Sequence, residues 1–177
     1  MAEIEEKHKG IIFVDAKRCL GCKRCWQACA ISHSKSKSFF DLVRLGEETT
    51  TAVAFKPIGK LVVPVECRHC EAPQCVIACP SGALKRMENG IVLLDSRYCV
   101  GCKSCMIACP YGAIRISNVT RKIFKCDFCI DRQAEGKGPA CASACPTGCL
   151  EFVRIEEINE RFKSGTLESL MIFQNLS

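Results

Sequence analysis

The sequence predicts an α+β chain in which short strands and short helices wrap around metal clusters instead of around a large apolar core. Three observations predict it. Cysteine supplies 17 of 177 residues, several times ordinary usage. Sixteen of the 17 fall into four groups of four. Short β-rich segments flank those groups, and the cysteines that follow each loop open helical turns.

Composition points the same way. The hydrophobic fraction is 48%, and cysteine makes up about a fifth of it. Nine Phe, two Tyr and one Trp are few for a chain that must bury a core by itself. Charged residues at 25% argue against wholesale disorder. Something bound to cysteine must hold the fold, which leaves disulfides, zinc or iron–sulfur clusters. The N-terminal stretch from Met1 to Gly10 has neither an apolar core segment nor twin arginines, so it does not read as an export signal. Apolar runs are too short to span a bilayer. The expectation is a soluble, cytoplasmic chain without direct membrane insertion. Disulfides are rare in that compartment, and an odd cysteine count leaves one unpaired.

In chain order, Gly10-Ile-Ile-Phe-Val-Asp15 reads as a strand leading into the first motif, Cys19-x2-Cys22-x2-Cys25-x3-Cys29. Residues 31–60 interrupt the pattern as an insertion. Ser32 to Ser38 is polar and reads as a loop. Leu42 to Val65 is β-rich, broken by Gly46 and Pro57-Ile-Gly59. It reads as a hairpin over the clusters or against a partner, or equally as a surface insertion. The second motif is Cys67-x2-Cys70-x4-Cys75-x3-Cys79-Pro80. Gly82 to Glu88, Asn89-Gly90 and Ile91 to Asp95 then read as a hairpin. The third motif is Cys99-x2-Cys102-x2-Cys105-x3-Cys109-Pro110, followed by a strand from Gly112 to Ile116. The fourth is Cys126-x2-Cys129-x11-Cys141-x3-Cys145-Pro146, followed by a strand from Leu150 to Ile155. Helical turns are expected near Cys25, Cys75, Cys105 and Cys141. Residues 156–177 read as a tail with apolar Leu167, Leu170, Met171 and Phe173, either a docking segment for another subunit or a lid.

The spacing carries the chemistry. Successive Cys-x-x-Cys steps curl the backbone around a cubane so that three thiolates reach three corners. The fourth cysteine lies one helical turn on and faces away; in two-cluster ferredoxins it ligates the other cluster. Structural zinc also uses Cys-x2-Cys pairs, but as two separated pairs per metal. A plant-type [2Fe–2S] centre needs Cys-x4-Cys-x2-Cys, whose order the second motif reverses. Four [4Fe–4S] clusters are therefore expected. The second and third motifs form an inner ferredoxin-like unit, residues 61–118, with Cys67, Cys70, Cys75 and Cys109 at a second site and Cys79, Cys99, Cys102 and Cys105 at a third. The chain ends form an outer ferredoxin-like unit, residues 10–30 plus 119–155. It has Cys19, Cys22, Cys25 and Cys145 at a first site and Cys29, Cys126, Cys129 and Cys141 at a fourth. Cys149 is left over and reads as a buried thiol.

The formal charge of +6 would suit a nucleic-acid binder. Each oxidised [4Fe–4S] core with four thiolates carries −2, however, so four of them bring the sum to about −2. The lysines and arginines then offset cluster charge. His69, Lys23 and Lys103 lie inside motifs and are candidates for tuning a cluster; Trp26 is a candidate water shield. His8 and His33 carry no assignment. No phosphate loop or Rossmann glycine fingerprint is present, and every motif has four ligands, so no iron is left open for substrate. The chemistry that remains is one-electron transfer.

Cys67-Arg-His-Cys-Glu-Ala-Pro-Gln-Cys75 to Cys79-Pro-Ser-Gly82, and Cys126-Asp-Phe-Cys-Ile-Asp-Arg132 to Cys145-Pro146, resemble the second and fourth motifs of the four-cluster ferredoxin-like electron-transfer subunits. That family includes the iron–sulfur subunits of dimethyl sulfoxide reductase and formate dehydrogenase, and others serving hydrogenases and carbon monoxide dehydrogenase. The likeness runs from about Gly10 to Ile155. It implies a non-catalytic subunit bound to a catalytic oxidoreductase subunit, with a second electron-donor protein as a further partner and no nucleic acid. The compact length is most similar to small subunits serving tungsten aldehyde oxidoreductases and class II benzoyl-coenzyme A reductases, so the resemblance implies a tungsten or molybdenum bis-pterin partner first. A polyferredoxin serving a hydrogenase or carbon monoxide dehydrogenase is the alternative. A zinc-stabilised nucleic-acid-binding module is the alternative of another class.

Overall fold

A computed structural model of the chain describes residues 10–59, 61–117 and 119–154, with residues 157, 158 and 160. The fold is α+β, as the sequence predicts, and its elements are short. In order they are β1 (Gly10–Val14), a 3-10 turn (Ala16–Arg18), α1 (Arg24–Ser32), α2 (Phe39–Arg44), β2 (Ala54–Ile58), β3 (Leu61–Val65) and α3 (Gln74–Ile77). Then come β4 (Leu84–Arg86), β5 (Val92–Leu94), α4 (Ser104–Ala108), β6 (Arg115–Ile116), β7 (Ile123–Phe124), α5 (Ile130–Ala134), α6 (Ala140–Ser143) and β8 (Leu150–Arg154).

The strands pair as four separate antiparallel ribbons. β1 pairs with β8, with Ile12 opposite Phe152, and the Asp15 N–H donates to the Cys149 carbonyl at 2.8 Å. This ribbon brings the first and fourth motifs together across the whole chain, and α1 packs on α6 beneath it. The β4–β5 ribbon joins the second and third motifs in the same way, with α3 packed on α4. Its turn is the Asn89-Gly90 segment, as a three-residue loop: the Gly90 N–H donates to Met87, and Met87 to Ile91. Gly90 takes φ of 84°, the left-handed conformation this loop type requires.

Residues 31–60 do more than decorate the surface. Phe39–Arg44 is helical where a loop and β-rich sequence are expected, because Ser38 caps it, its hydroxyl accepting the Asp41 N–H. Ala52, Val53 and Ala54 are almost wholly buried. Ala52 and Val53 pack with Cys25, Cys29, Cys126, Cys141 and Leu150 in one small core. A hairpin follows, β2 with β3, and its strands lie on either side of residue 60. The second small core is Leu84, Val92, Cys105, Ile114 and Ile123. In both cores cysteines occupy positions that Leu or Ile would fill in an ordinary domain.

No helix among the described residues is long and apolar enough to cross a membrane. The apolar tail positions Leu167, Leu170, Met171 and Phe173, and His8, lie outside the described residues.

Because Leu84 is one of few fully buried large side chains, Leu84→Ala should cost about 2–5 kcal/mol. The expected readout is a lower thermal midpoint for loss of visible absorption in anaerobically purified protein, with β4–β5 disrupted before β1–β8.

Candidate metal centres

Each motif uses left-handed backbone to curl its loop. In the first and third motifs Gly21 and Lys23 have φ of 66° and 60°, and Gly101 and Lys103 have 71° and 64°. Lys23 and Lys103 also stand at the N-caps of α1 and α4. Sequence matching sees these lysines as charges; the structure gives them a backbone role as well. His69 serves the same turn in the second motif at φ of 45°, and Phe128 with Cys129 in the fourth at 63° and 51°. Non-glycine residues adopt this conformation at a cost of about 1–2 kcal/mol each, so the loops are held by what they surround.

A second device recurs at the end of three motifs. In Cys79-Pro-Ser-Gly82, Cys109-Pro-Tyr-Gly112 and Cys145-Pro-Thr-Gly148, the glycine N–H donates to the cysteine carbonyl at 3.3, 3.1 and 3.4 Å. Proline sets the second turn position, and glycine takes φ of 60–63° at the fourth. The turn sends the next strand back past the thiol. The Ala113 N–H donates to Cys109 Sγ at 3.5 Å and the Leu150 N–H to Cys145 Sγ at 3.4 Å. Ser81 and Thr147 hydroxyls lie 3.7 Å from Cys79 and Cys145 Sγ.

The first motif has Ala30 where the others have proline. Helix α1 therefore runs on to Ser32, and His33 arrives one turn beyond Cys29. Its Nδ1 donates to the Cys29 carbonyl at 2.8 Å and lies 3.7 Å from Cys29 Sγ. Its Nε2 donates to Asp127 Oδ1 at 3.2 Å. Both ring nitrogens face acceptors, which is the pattern of an imidazolium. Burial opposes that charge, but hydrogen bonds to Asp127 and Cys29 and their charges outweigh it and push the pKa up to about 11. Sequence reasoning assigns nothing to His33 or Asp127. The missing proline and the spacing of His33 four residues after Cys29 were the available signals.

Several motif thiols lie within electrostatic reach of one another. Cys25 interacts with Cys19 and Cys145, and these three line a small cavity with Cys22. Cys75 interacts with Cys67 and Cys109, and all three line a cavity of about 290 Å³ with Cys70. Cys105 interacts with Cys79, Cys99 and Cys102. Cys141 interacts with Cys29 and Cys129, and Cys126 with Cys67 and Cys141. Burial above all pushes Cys126 and Cys141 well above the ordinary thiol range. Burial, then the Glu66 charge, pushes Cys25 up to about 12. Burial of this kind favours the neutral thiol, and a bound metal is what would hold these groups as thiolates.

Among the described residues, no three His, Cys, Asp or Glu side chains converge closely enough for a single metal ion. A cubane places each thiolate on its own iron and spreads the four apart. The donor set, all thiol with backbone N–H groups pointing at sulfur, fits [4Fe–4S].

Three further polar groups lie among the sites. Glu66 is 6% exposed, and its Oε1 has no hydrogen-bond partner among the described residues. Burial pushes its carboxyl up to about 7. His69 Nδ1 accepts the Val92 N–H at 3.0 Å, and burial, then the Lys125 charge, push its pKa down to about 3. Cys149 is 2% exposed; burial, then the nearby Cys19, push its thiol up. Trp26 is 41% exposed, too open to seal a site by itself.

Comparison with known proteins gives one family and several relatives. Residues 58–155 match the 4Fe-4S dicluster domain. The chain is 39% identical over 151 residues to the thiosulfate reductase electron transfer subunit of Salmonella typhi, covering 83% of this chain and 77% of that one. It is 37% identical over 170 residues to the B subunit of the anaerobic dimethyl sulfoxide reductase of Escherichia coli, covering 89% and 78%. It is 34% identical over 162 residues to the iron–sulfur subunit of the nitrate-inducible formate dehydrogenase of Escherichia coli, covering 83% and 55%.

The His33–Asp127 pair should give the stability of the anaerobically purified, iron-loaded chain a defined pH window. A raised histidine pKa contributes stability in full below its ordinary 6.5, lost as pH rises toward about 11. The lowered Asp127 pKa contributes above its ordinary 3.8, lost as pH falls through that range. The thermal midpoint gap between wild type and His33→Phe should be widest between those limits and close toward pH 11. A gap that does not change with pH would show that the pair is held by packing alone.

Proposed function

The chain belongs to the 4Fe-4S dicluster domain family, and on that footing we propose that it is the electron-transfer subunit of a bis-pterin oxidoreductase. It carries four [4Fe–4S] clusters, and its relatives are electron-transfer and iron–sulfur subunits of oxidoreductases, not their catalytic subunits. What supports the reading is the set of four cysteine motifs, several of whose thiols lie within electrostatic reach of one another. When bound, the clusters supply reversible one-electron carriers within one small protein.

The ligand sets in this reading are Cys19, Cys22, Cys25 and Cys145; Cys67, Cys70, Cys75 and Cys109; Cys79, Cys99, Cys102 and Cys105; and Cys29, Cys126, Cys129 and Cys141. The Cys67 thiol lies within electrostatic reach of Cys126, so the second and fourth sites are neighbours. The β4–β5 ribbon ties the second site to the third, and the β1–β8 ribbon ties the fourth to the first. The sites then run in the order third, second, fourth, first. The two cysteines that are exposed, Cys22 and Cys102, belong to the first and third sites. Each stands beside an exposed apolar residue, Leu20 at 73% and Val100 at 70%. A redox partner can approach either end.

The catalytic partner in this reading holds tungsten or molybdenum on a bis-pterin. The relatives serve thiosulfate, dimethyl sulfoxide and formate enzymes by name. Of the two metals, tungsten follows from the likeness to the small subunits of tungsten aldehyde oxidoreductases.

Anaerobically purified chain should hold about 16 iron and 16 sulfide, falling to about 12 of each in Cys75→Ser and staying at about 16 in Cys149→Ser. Zinc in place of iron and sulfide would overturn the reading. Native co-purification should bring down a larger subunit whose tungsten or molybdenum content, read by mass spectrometry, decides the metal. A chain that runs alone on native gel filtration would instead be a free polyferredoxin.

A further inference from the structure

Two buried polar groups beside the second site lack the partner that their chemistry requires. Lys125 is 5% exposed. Its Nζ donates to the carbonyls of Val92 and Cys126 at 2.5 and 3.0 Å, and among the described residues it forms no ion pair. An ammonium has three donors and a full charge, and a buried charge without a counter-charge is strongly destabilising. His69 poses the same problem in neutral form. Its Nδ1 accepts from Val92, so the ring proton sits on Nε2, and that atom is buried with no partner among the described residues.

A single residue organises both groups. Val92 on β5 is 1% exposed; its N–H holds His69 and its carbonyl holds Lys125. The two side chains come from different motifs, the second and the edge of the fourth. Both line the cavity of about 290 Å³ that also exposes Cys67, Cys70, Cys75 and Cys109. Phe128 packs on the His69 ring at 4.9 Å between centroids and keeps water from it. Lys125 lies within charge reach of Cys75 on one side and Cys126 on the other.

We propose that Lys125 and His69 are positioning residues for the cluster of the second site, the ammonium as its counter-charge and the imidazole Nε2–H as a hydrogen-bond donor, and that together they raise its reduction potential. One-electron reduction adds one negative charge to the site without adding a proton. A fixed cation and a fixed donor, both buried beside the site, stabilise that added charge more than they stabilise the oxidised state. The inference rests on the ligand assignment proposed above.

Potentiometric titration of the anaerobically purified full chain, followed by electron paramagnetic resonance, tests it. The signal of the second site is identified by its loss in Cys75→Ser. Lys125→Met and His69→Leu should each keep about 16 iron and move that signal to lower potential. For Lys125→Met the reduction equilibrium should fall at least tenfold, about 59 mV for one electron. Lys125→Arg should restore most of it. Full iron with unmoved potentials in both variants would overturn the inference and leave the ligand assignment standing. If Lys125→Met sheds iron, His69→Leu decides, and an unmoved potential there overturns the inference. A Cys75→Ser variant that keeps all its iron would overturn the ligand assignment itself.

Discussion

Sulfur taken out of water as thiolate must meet positive charge, and this chain is built on that requirement. Seven of its cysteines are buried among the described residues. Cys25, Cys29, Cys126 and Cys141 sit at the centre of one small core and Cys105 in the other. An apolar core of this size could not hold 177 residues by area alone. Iron bound by several thiolates at each site supplies both the cross-links and the charge balance. The folded state and the loaded state are therefore one state.

The local structure follows from that need. Helices of four to nine residues are too short to persist without tertiary support. Apart from α2, each starts within a cysteine motif. The Cys-Pro-x-Gly turn closes three motifs and brings an N–H back toward sulfur. Where proline is missing, after Cys29, the helix continues, and the sulfur meets the Ala52 N–H at 3.4 Å with an imidazole 3.7 Å away. The same problem, a sulfur that needs donors, is solved twice by different segments.

The buried charges are distributed unevenly. Glu66 lies near Cys25 and Cys141, where it disfavours further negative charge. Lys125 lies near Cys75 and Cys126, where it favours it. His33 brings a second cation to Cys29, neutralised in part by Asp127. Four chemically identical clusters would thus meet four different environments, which is what lets a protein set their potentials apart.

The class of protein was readable from the residues alone, because cubane ligation is a local matter. A Cys-x-x-Cys-x-x-Cys loop must curl as it does to reach three corners, and a ligand set of that kind is visible in spacing. The strands around Ile12, Val92, Ile116 and Val153 were legible for the same reason, from short-range alternation and turn residues. Contacts between segments that no spacing relates had to wait for the folded chain. The burial of Ala52 and Val53, which read as part of an insertion, depends on α1 and β8 closing over them. His33 meets Asp127 across 94 positions, and Lys125 and His69 are both held by Val92. A lone lysine or histidine in sequence is indistinguishable from a solvated one. Its role appears only when folding removes the water and leaves its charge or its proton without a partner.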